Sequence, residues 1–383
     1  MLIYVLLPTL MLSTGFIFRR IKGFKWLYSA FWGCALFFIA AIRKYTGHDY
    51  VLYENWYNSF YEHTIDSMTY YFRQEKGFII PLKLMRDYNV SAQIVFAIIA
   101  LVITVLLVLY VYNNSKNVCV SLVSFVLFGF YFNSLNFMRQ IIAALIVCFA
   151  YNCIKESRPF RFTAFILLAA VFHVSALMML PFYFILKIKM NRVTTPLFIV
   201  AGIALWIFSE PALQFATRYF YTDYDVLNSA HMTVGLPPAF TILFGVFGVT
   251  AFVLQKLLVN DKNKNSIFIT AIFFGVFFEF VGMKHSVVSR LSLYFLIPAT
   301  LILSAQMFEK LKGLYFEKFG ENKKRLYLIS SATVAGALVF FGTLYGYLLK
   351  SDNNGVVPYN TFFSDLTFDE FEYMRDGLRR EAE

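Results

Sequence analysis

The sequence predicts an all-α polytopic membrane protein, and three observations predict it. Of 383 residues, 59% are apolar, 20% aromatic and only 15% charged, too little polar surface to clothe a soluble globule. Apolar windows of roughly 17–23 residues, each able to cross about 30 Å of hydrocarbon, recur along the chain. The lysines and arginines are distributed unevenly between alternate loops.

The first window, 2–18, lacks a charged leader and a small-residue cleavage site, so it is expected to stay as a span and not be removed as a signal peptide. Arg19-Arg20-Ile21-Lys22 then turns the chain at the cytoplasmic face, where short basic loops are retained during insertion. Further spans are expected at 24–42, 90–112, 118–134, 140–154, 194–209, 239–258, 266–283, 291–308 and 326–349. That makes about ten full transmembrane helices in a single integral domain, 1–383. The four cysteines, Cys34, Cys119, Cys148 and Cys153, fall inside apolar windows with neither a disulfide framework nor zinc-ligand spacing.

Alternation of the loops puts 20 Lys/Arg against 5 Asp/Glu inside, and 14 against 18 outside. The net charge of +11 is therefore a topology signal. No soluble basic module exists to carry a nucleic-acid partner. Simple alternation fails only at 162–186. One span there would invert everything after it and move three basic loops outside. Two short helices, 162–172 and 174–186, that enter from the cytoplasm and return to it keep those loops inside. They would meet at Phe172-His173-Val174-Ser175, and backbone that leaves the helix at this depth is tolerated only against protein or a wet cavity.

The outer face then gathers Arg43, Asp49, Tyr53, Arg139, Arg218, His285 and Arg290. It also carries the long loops: 43–89, aromatic-rich and suited to interfacial helices, 210–238, and the tail 350–383. The segment 309–325 interleaves Lys310 to Arg325 with apolar residues and reads as a cytoplasmic amphipathic helix lying on membrane lipid. In Arg43-x-x-x-Gly47-x-Asp49 the glycine permits a tight turn that would bring guanidinium and carboxylate together. Asn136, Arg139 and Gln140 share one helical face.

Each residue also has a plainer explanation. Tyr and Trp near span ends anchor at the interface, and a lone arginine there snorkels to headgroups. As a set, however, arginines at the mouth of an apolar groove match a lipid pyrophosphate. A guanidinium is a planar fork of donors fitted to phosphate oxygens and keeps its proton.

Arg43-x-x-x-Gly47-x-Asp49-x-x-x-Tyr53, Asn136-x-x-Arg139-Gln140, Phe172-His173-x-Ser175 and Arg290-x-x-x-Tyr294, with Val357-Pro358-Tyr359-x-x-Phe362 late in the chain, resemble the EpsG family of bacterial exopolysaccharide proteins. That family is similar to the Wzy polymerases of capsule and O-antigen synthesis. The resemblance runs from about residue 40 to residue 362 in short motifs. It implies a GT-C-like membrane glycosyltransferase of the bacterial cytoplasmic membrane. Its partners would be oligosaccharide repeat units on undecaprenyl pyrophosphate, joined at the outer leaflet, with a flippase and chain-length regulators as further candidate partners. Arg139 and Arg290, assisted by Arg43, would neutralise the leaving pyrophosphate. His173 or Asp49 would take the proton of the acceptor hydroxyl. His173 could instead be a packed histidine, and Asp49 could pair with Arg43. Tyr53, Asn136, Gln140, Ser175, His285 and Tyr294 would bind substrate.

Two other function classes fit a many-span chain. A lipid-linked oligosaccharide transporter should show internal repeats, and none is found. An O-acyltransferase using His173 would draw its acyl group from the cytoplasm, whereas the special residues gather outside. No cofactor is implied. Asp223-Tyr224-Asp225 has the form of a Mg²⁺- or Mn²⁺-binding carboxylate pair but lies off the family motifs, so no metal is expected. EDTA treatment of the purified protein should leave sugar-polymer formation intact, and loss of product restored by Mn²⁺ would contradict this.

Overall fold

The computed structural model describes residues 2–18, 21–60, 64–67, 75–188, 190–211, 241–250, 266–319, 359–364 and 367–372. The described residues are helical, with a single isolated β-bridge between Arg43 and Thr361. The main helices are α1 (Leu2–Phe18), α2 (Phe24–Ala41), α3 (Tyr50–Ser59), α4 (Lys76–Asp87), α5 (Ala92–Asn114), α6 (Val118–Leu127), α7 (Met138–Lys155), α8 (Pro159–Phe172), α9 (Thr194–Ile207), α10 (Ser266–Gly282) and α11 (Leu293–Phe319).

Among the described residues, four stretches are long and apolar enough to cross a membrane: Phe24–Ala41, Ala92–Asn114, Met138–Lys155 and Val287–Lys310. Shorter apolar helices accompany them. The α5 helix explains why the surroundings must be lipid. Its Val95, Ile99, Ile103 and Leu107 are buried one turn apart, while Ile94, Ile98, Leu101 and Val105 on the other side are exposed. A helix apolar all round with half its surface uncovered is stable only in hydrocarbon. The chain is thus a membrane protein, as expected.

The expected count of ten full spans is reduced among the described residues. The window 118–134 is not one helix. Gly129 takes the left-handed conformation (φ 77°), which stops α6 at Leu127, and only a single further turn, Phe130–Asn133, follows. The window 326–349 and the loop 212–240 lie outside the described residues, as does Asp223-Tyr224-Asp225. The expected amphipathic segment 309–325 starts as the direct continuation of α11, which runs to Phe319.

The chain forms two compact units, Met1–Ile146 with Leu167–Val174 and Ser304–Glu383, and Val147–Ile166 with Ser175–Leu303. In the first, hydroxyls and rings lock neighbouring helices. Tyr28 donates to the Met11 carbonyl at 2.8 Å, and Trp32 Nε1 donates to Thr14 Oγ1 at 2.9 Å. Tyr131 donates to the Leu36 carbonyl at 2.9 Å, bringing the segment before α7 against α2. The end of α2 is tied to the tail. Lys44 N–H donates to Asn360 O and Phe362 N–H to Ile42 O, both at 3.0 Å. Tyr45 packs its ring edge-on against Phe368, and Phe371 is fully buried.

The second unit holds residues 159–166 and 175–188 together. Phe162, near the start of α8, has its ring 5.2 Å from that of Tyr183. Thr270 Oγ1 donates to the Ile188 carbonyl at 3.0 Å, and Lys155 sits 4.5 Å over the Phe268 ring. Ile188 therefore returns to the end of α10 from which α8 sets out, the arrangement expected of two short arms. The outgoing arm is α8. The returning arm is a 3₁₀ helix, Val174–Met179, followed by the single α-turn Phe182–Ile185. His173 stands in the break between them.

One glycine positions α4. A Cβ on Gly77 would overlap the Val171 side chain and come within 2.6 Å of its carbonyl oxygen, so only glycine lets the first turn of α4 touch the end of α8. Gly77→Ala should lower stability by about 1–3 kcal/mol, read as a fall in the thermal midpoint of the detergent-solubilised protein.

Candidate functional site

The site in the first unit grows from three helix ends. α7 begins at Met138, so Arg139 lies in its first turn. α8 ends at Phe172, leaving His173 beyond it, and Glu75 is the residue at the N-cap of α4. These ends meet on the Glu75 carboxylate. Its Oε1 lies 2.9 Å from His173 Nδ1 and accepts the Val174 N–H at 2.9 Å. Its Oε2 accepts from Arg139. The Val174 N–H is one that a continuing helix would use internally, so the carboxylate both ends α8 and caps the 3₁₀ turn that follows.

The Glu75 side chain is 14% exposed, Arg139 17% and His173 25%. Burial alone would raise the Glu75 pKa. The hydrogen bond from His173, the Arg139 charge and the Val174 N–H outweigh it and hold the carboxyl at about 2. Arg139 Nε donates to Tyr53 Oη at 3.3 Å, and its guanidinium lies 5.8 Å from the Phe78 ring centre. Burial pushes the Tyr53 phenol up, which keeps its proton in place at neutral pH. Trp56 packs edge-on against Tyr53 at 5.2 Å, extending the aromatic wall.

Arg43 has a different setting. It is buried, and its guanidinium donates to the carbonyls of Thr46 and Leu135 and to Met138 Sδ. The Arg43–Asp49 ion pair, one of the two readings of Asp49, is not formed among the described residues. Gly47, at φ 102°, turns the chain so that the Thr46 carbonyl is what faces the guanidinium. A Cβ at Gly47 would stand 2.8 Å from Asn136 Oδ1, the atom that accepts the Asp49 N–H at 3.4 Å. Gln93 completes this knot by donating to the carbonyls of Ala41 and Arg43 while accepting from Tyr50 at 3.1 Å. A small cavity lies beside Arg43, lined by Tyr131, Ser134, Thr104 and Met138, with about 10 Å³ for the centre of a water molecule.

Of the residues expected from sequence, the first unit brings Tyr53, Arg139 and His173 together. Arg43, Asp49 and Asn136 form the neighbouring knot, and Gln140 is buried one residue past Arg139 on α7. Ser175, His285, Arg290 and Tyr294 belong to the second unit. There the Ser175 and Tyr294 hydroxyls are 2.8 Å apart, and Tyr151 donates to the Tyr294 carbonyl at 3.2 Å. His285 Nε2 is buried with no hydrogen-bond partner among the described residues. Arg290 opens the short 3₁₀ turn before α11 and is half-buried.

Sequence reasoning missed two residues that shape these sites, Glu75 and Gln93. Glu75 was one carboxylate among several in the loop 43–89. The adjoining Gly77 was the one local signal of a close approach there. No group of three or more metal-ligating side chains occurs among the described residues.

A model of the EpsG family matches residues 2–361. No curated protein and no solved structure matches the chain.

The Glu75 charge has a stability signature. Its pKa falls from 4.5 to about 2 on folding, so the stabilisation is complete above pH 4.5 and is lost as pH drops through about 2. That shift is worth roughly 3 kcal/mol. The thermal-midpoint gap between wild type and Glu75→Gln should be widest above pH 5 and shrink between pH 4.5 and 2. A gap independent of pH would refute the assignment.

Proposed function

The chain belongs to the EpsG family, and from that membership we propose that it is a polysaccharide polymerase, a membrane glycosyltransferase that joins oligosaccharide repeat units carried on undecaprenyl pyrophosphate. The reaction is assigned to the outer face of the bacterial cytoplasmic membrane. The observation that carries the reading is the meeting of Arg139 and His173 on one carboxylate, with Tyr53 bonded to Arg139, at the end of a helix long and apolar enough to cross a membrane. A guanidinium beside an apolar span is rarely kept without a partner, and its retention fits an anionic headgroup that needs it.

The chemistry assigns one role to each side chain. Arg139 uses Nε for Tyr53 and one N–H of NH1 for Glu75. A guanidinium has five N–H donors, so three remain for phosphate oxygens of the donor. Pyrophosphate is a good leaving group and needs its developing charge neutralised more than it needs a proton. His173 takes the proton of the acceptor's sugar hydroxyl, and Tyr53 with Trp56 offers aromatic faces to the sugar. Asp49 is the alternative base. Arg43, which directs three of its five N–H groups to two carbonyls and a thioether, is assigned to holding the loop and not to the donor.

The test is conversion of purified lipid-linked repeat units into a ladder of longer glycans, with no nucleotide sugar or acyl donor added. Arg139→Ala, His173→Ala and Arg290→Ala should each lower ladder formation about 100-fold or more while protein still accumulates in the membrane. An Arg139→Ala variant with full activity would remove the pyrophosphate assignment. Translocation without joining would favour a transporter, and acyl transfer would favour the acyltransferase alternative.

A further inference from the structure

The polymerase reading gives Glu75 no task, yet its carboxylate touches both groups assigned to the reaction. An ionised carboxylate only accepts hydrogen bonds. The 2.9 Å contact with Oε1 therefore requires the proton on His173 Nδ1, which leaves the lone pair on Nε2. The same carboxylate is shared with Arg139 through its other oxygen.

We propose that Glu75 is a positioning residue that orients the base and the donor-binding arginine together. It holds His173 in the Nδ1–H tautomer, so that Nε2 faces the acceptor hydroxyl. It also anchors Arg139, whose remaining N–H groups meet the incoming phosphate. The polymerase reading supplies the identity of the two substrates; the tautomer needs only the carboxylate and the ring.

The physical basis is that one carboxylate holds both groups. Oε1 fixes the ring and Oε2 fixes the guanidinium, so the base and the phosphate-binding donors keep one relative position. In the step itself, the acceptor oxygen bonds to the donor's anomeric carbon as the bond from that carbon to the pyrophosphate oxygen breaks. The proton passes to Nε2, and the electron pair leaves with the lipid pyrophosphate beside Arg139.

The experiment reads the His173 tautomer by NMR in the full-length, detergent-solubilised protein with isotope-labelled histidine, using His173→Gln for assignment. Wild type should show the Nδ1–H tautomer, and Glu75→Gln should mix the tautomers. If Glu75→Gln does not accumulate, Glu75→Asp serves instead and should shift part of the population to Nε2–H. An Nε2–H tautomer in wild type, or an unchanged tautomer in the variant used, overturns the proposal. In the ladder assay Glu75→Gln should lower kcat about 100-fold or more without raising the donor KM, and Glu75→Asp should recover part of the loss. Equal loss of kcat and affinity would assign Glu75 a purely structural role. Expected NMR shifts from a wild type that makes no ladder would overturn the polymerase reading alone.

Discussion

The Glu75 carboxylate sets the geometry of the first unit's site, because three separate helix ends are defined by what it accepts. It sits ahead of α4, receives Arg139 from the start of α7, and takes both a ring nitrogen and a backbone N–H just past the end of α8. Groups this well covered cannot be left unpaired cheaply. Removing one member of a buried charged set strands the others without solvent, which costs several kcal/mol. The contact works only because Gly77 lets α4 abut the α8 terminus, so a backbone requirement underlies an electrostatic one.

Two arginines of the first unit illustrate how partners decide a role. Arg43 gives its donors to the Thr46 and Leu135 carbonyls and a thioether, neutral acceptors that belong to the fold. Its loop is held further by the tail, where Lys44 and Phe362 exchange main-chain hydrogen bonds with Asn360 and Ile42. Arg139 gives one donor to a carboxylate and one to a phenol, both side chains that an anionic ligand can compete with. The first guanidinium is held by neutral groups, while the second is held by a carboxylate and a phenol.

The break at His173 follows from the same logic of satisfied backbone. A helix end must find partners for its orphan backbone groups. Here the Val174 N–H goes to Glu75. A histidine in that break is freed from helical packing, so its ring can be aimed by a side chain.

The sequence alone determined that the chain lies in a membrane, where most of the described helices start and stop, and that the helical run breaks at His173, because apolar length and charge are local properties of the chain. It also picked out Arg139, His173 and Tyr53, since a cation or a helix break beside an apolar run stands out in composition. It could not find Glu75, which lies 64 and 98 residues from its two side-chain partners and looks like the other carboxylates of its loop. Nor could it foresee that Arg43 would bind carbonyls instead of Asp49, or that Gly129 would stop α6 short of a full span. Tertiary structure alone decided these points, because pairing energies depend on distance through space and burial, and neither can be read from spacing along the chain.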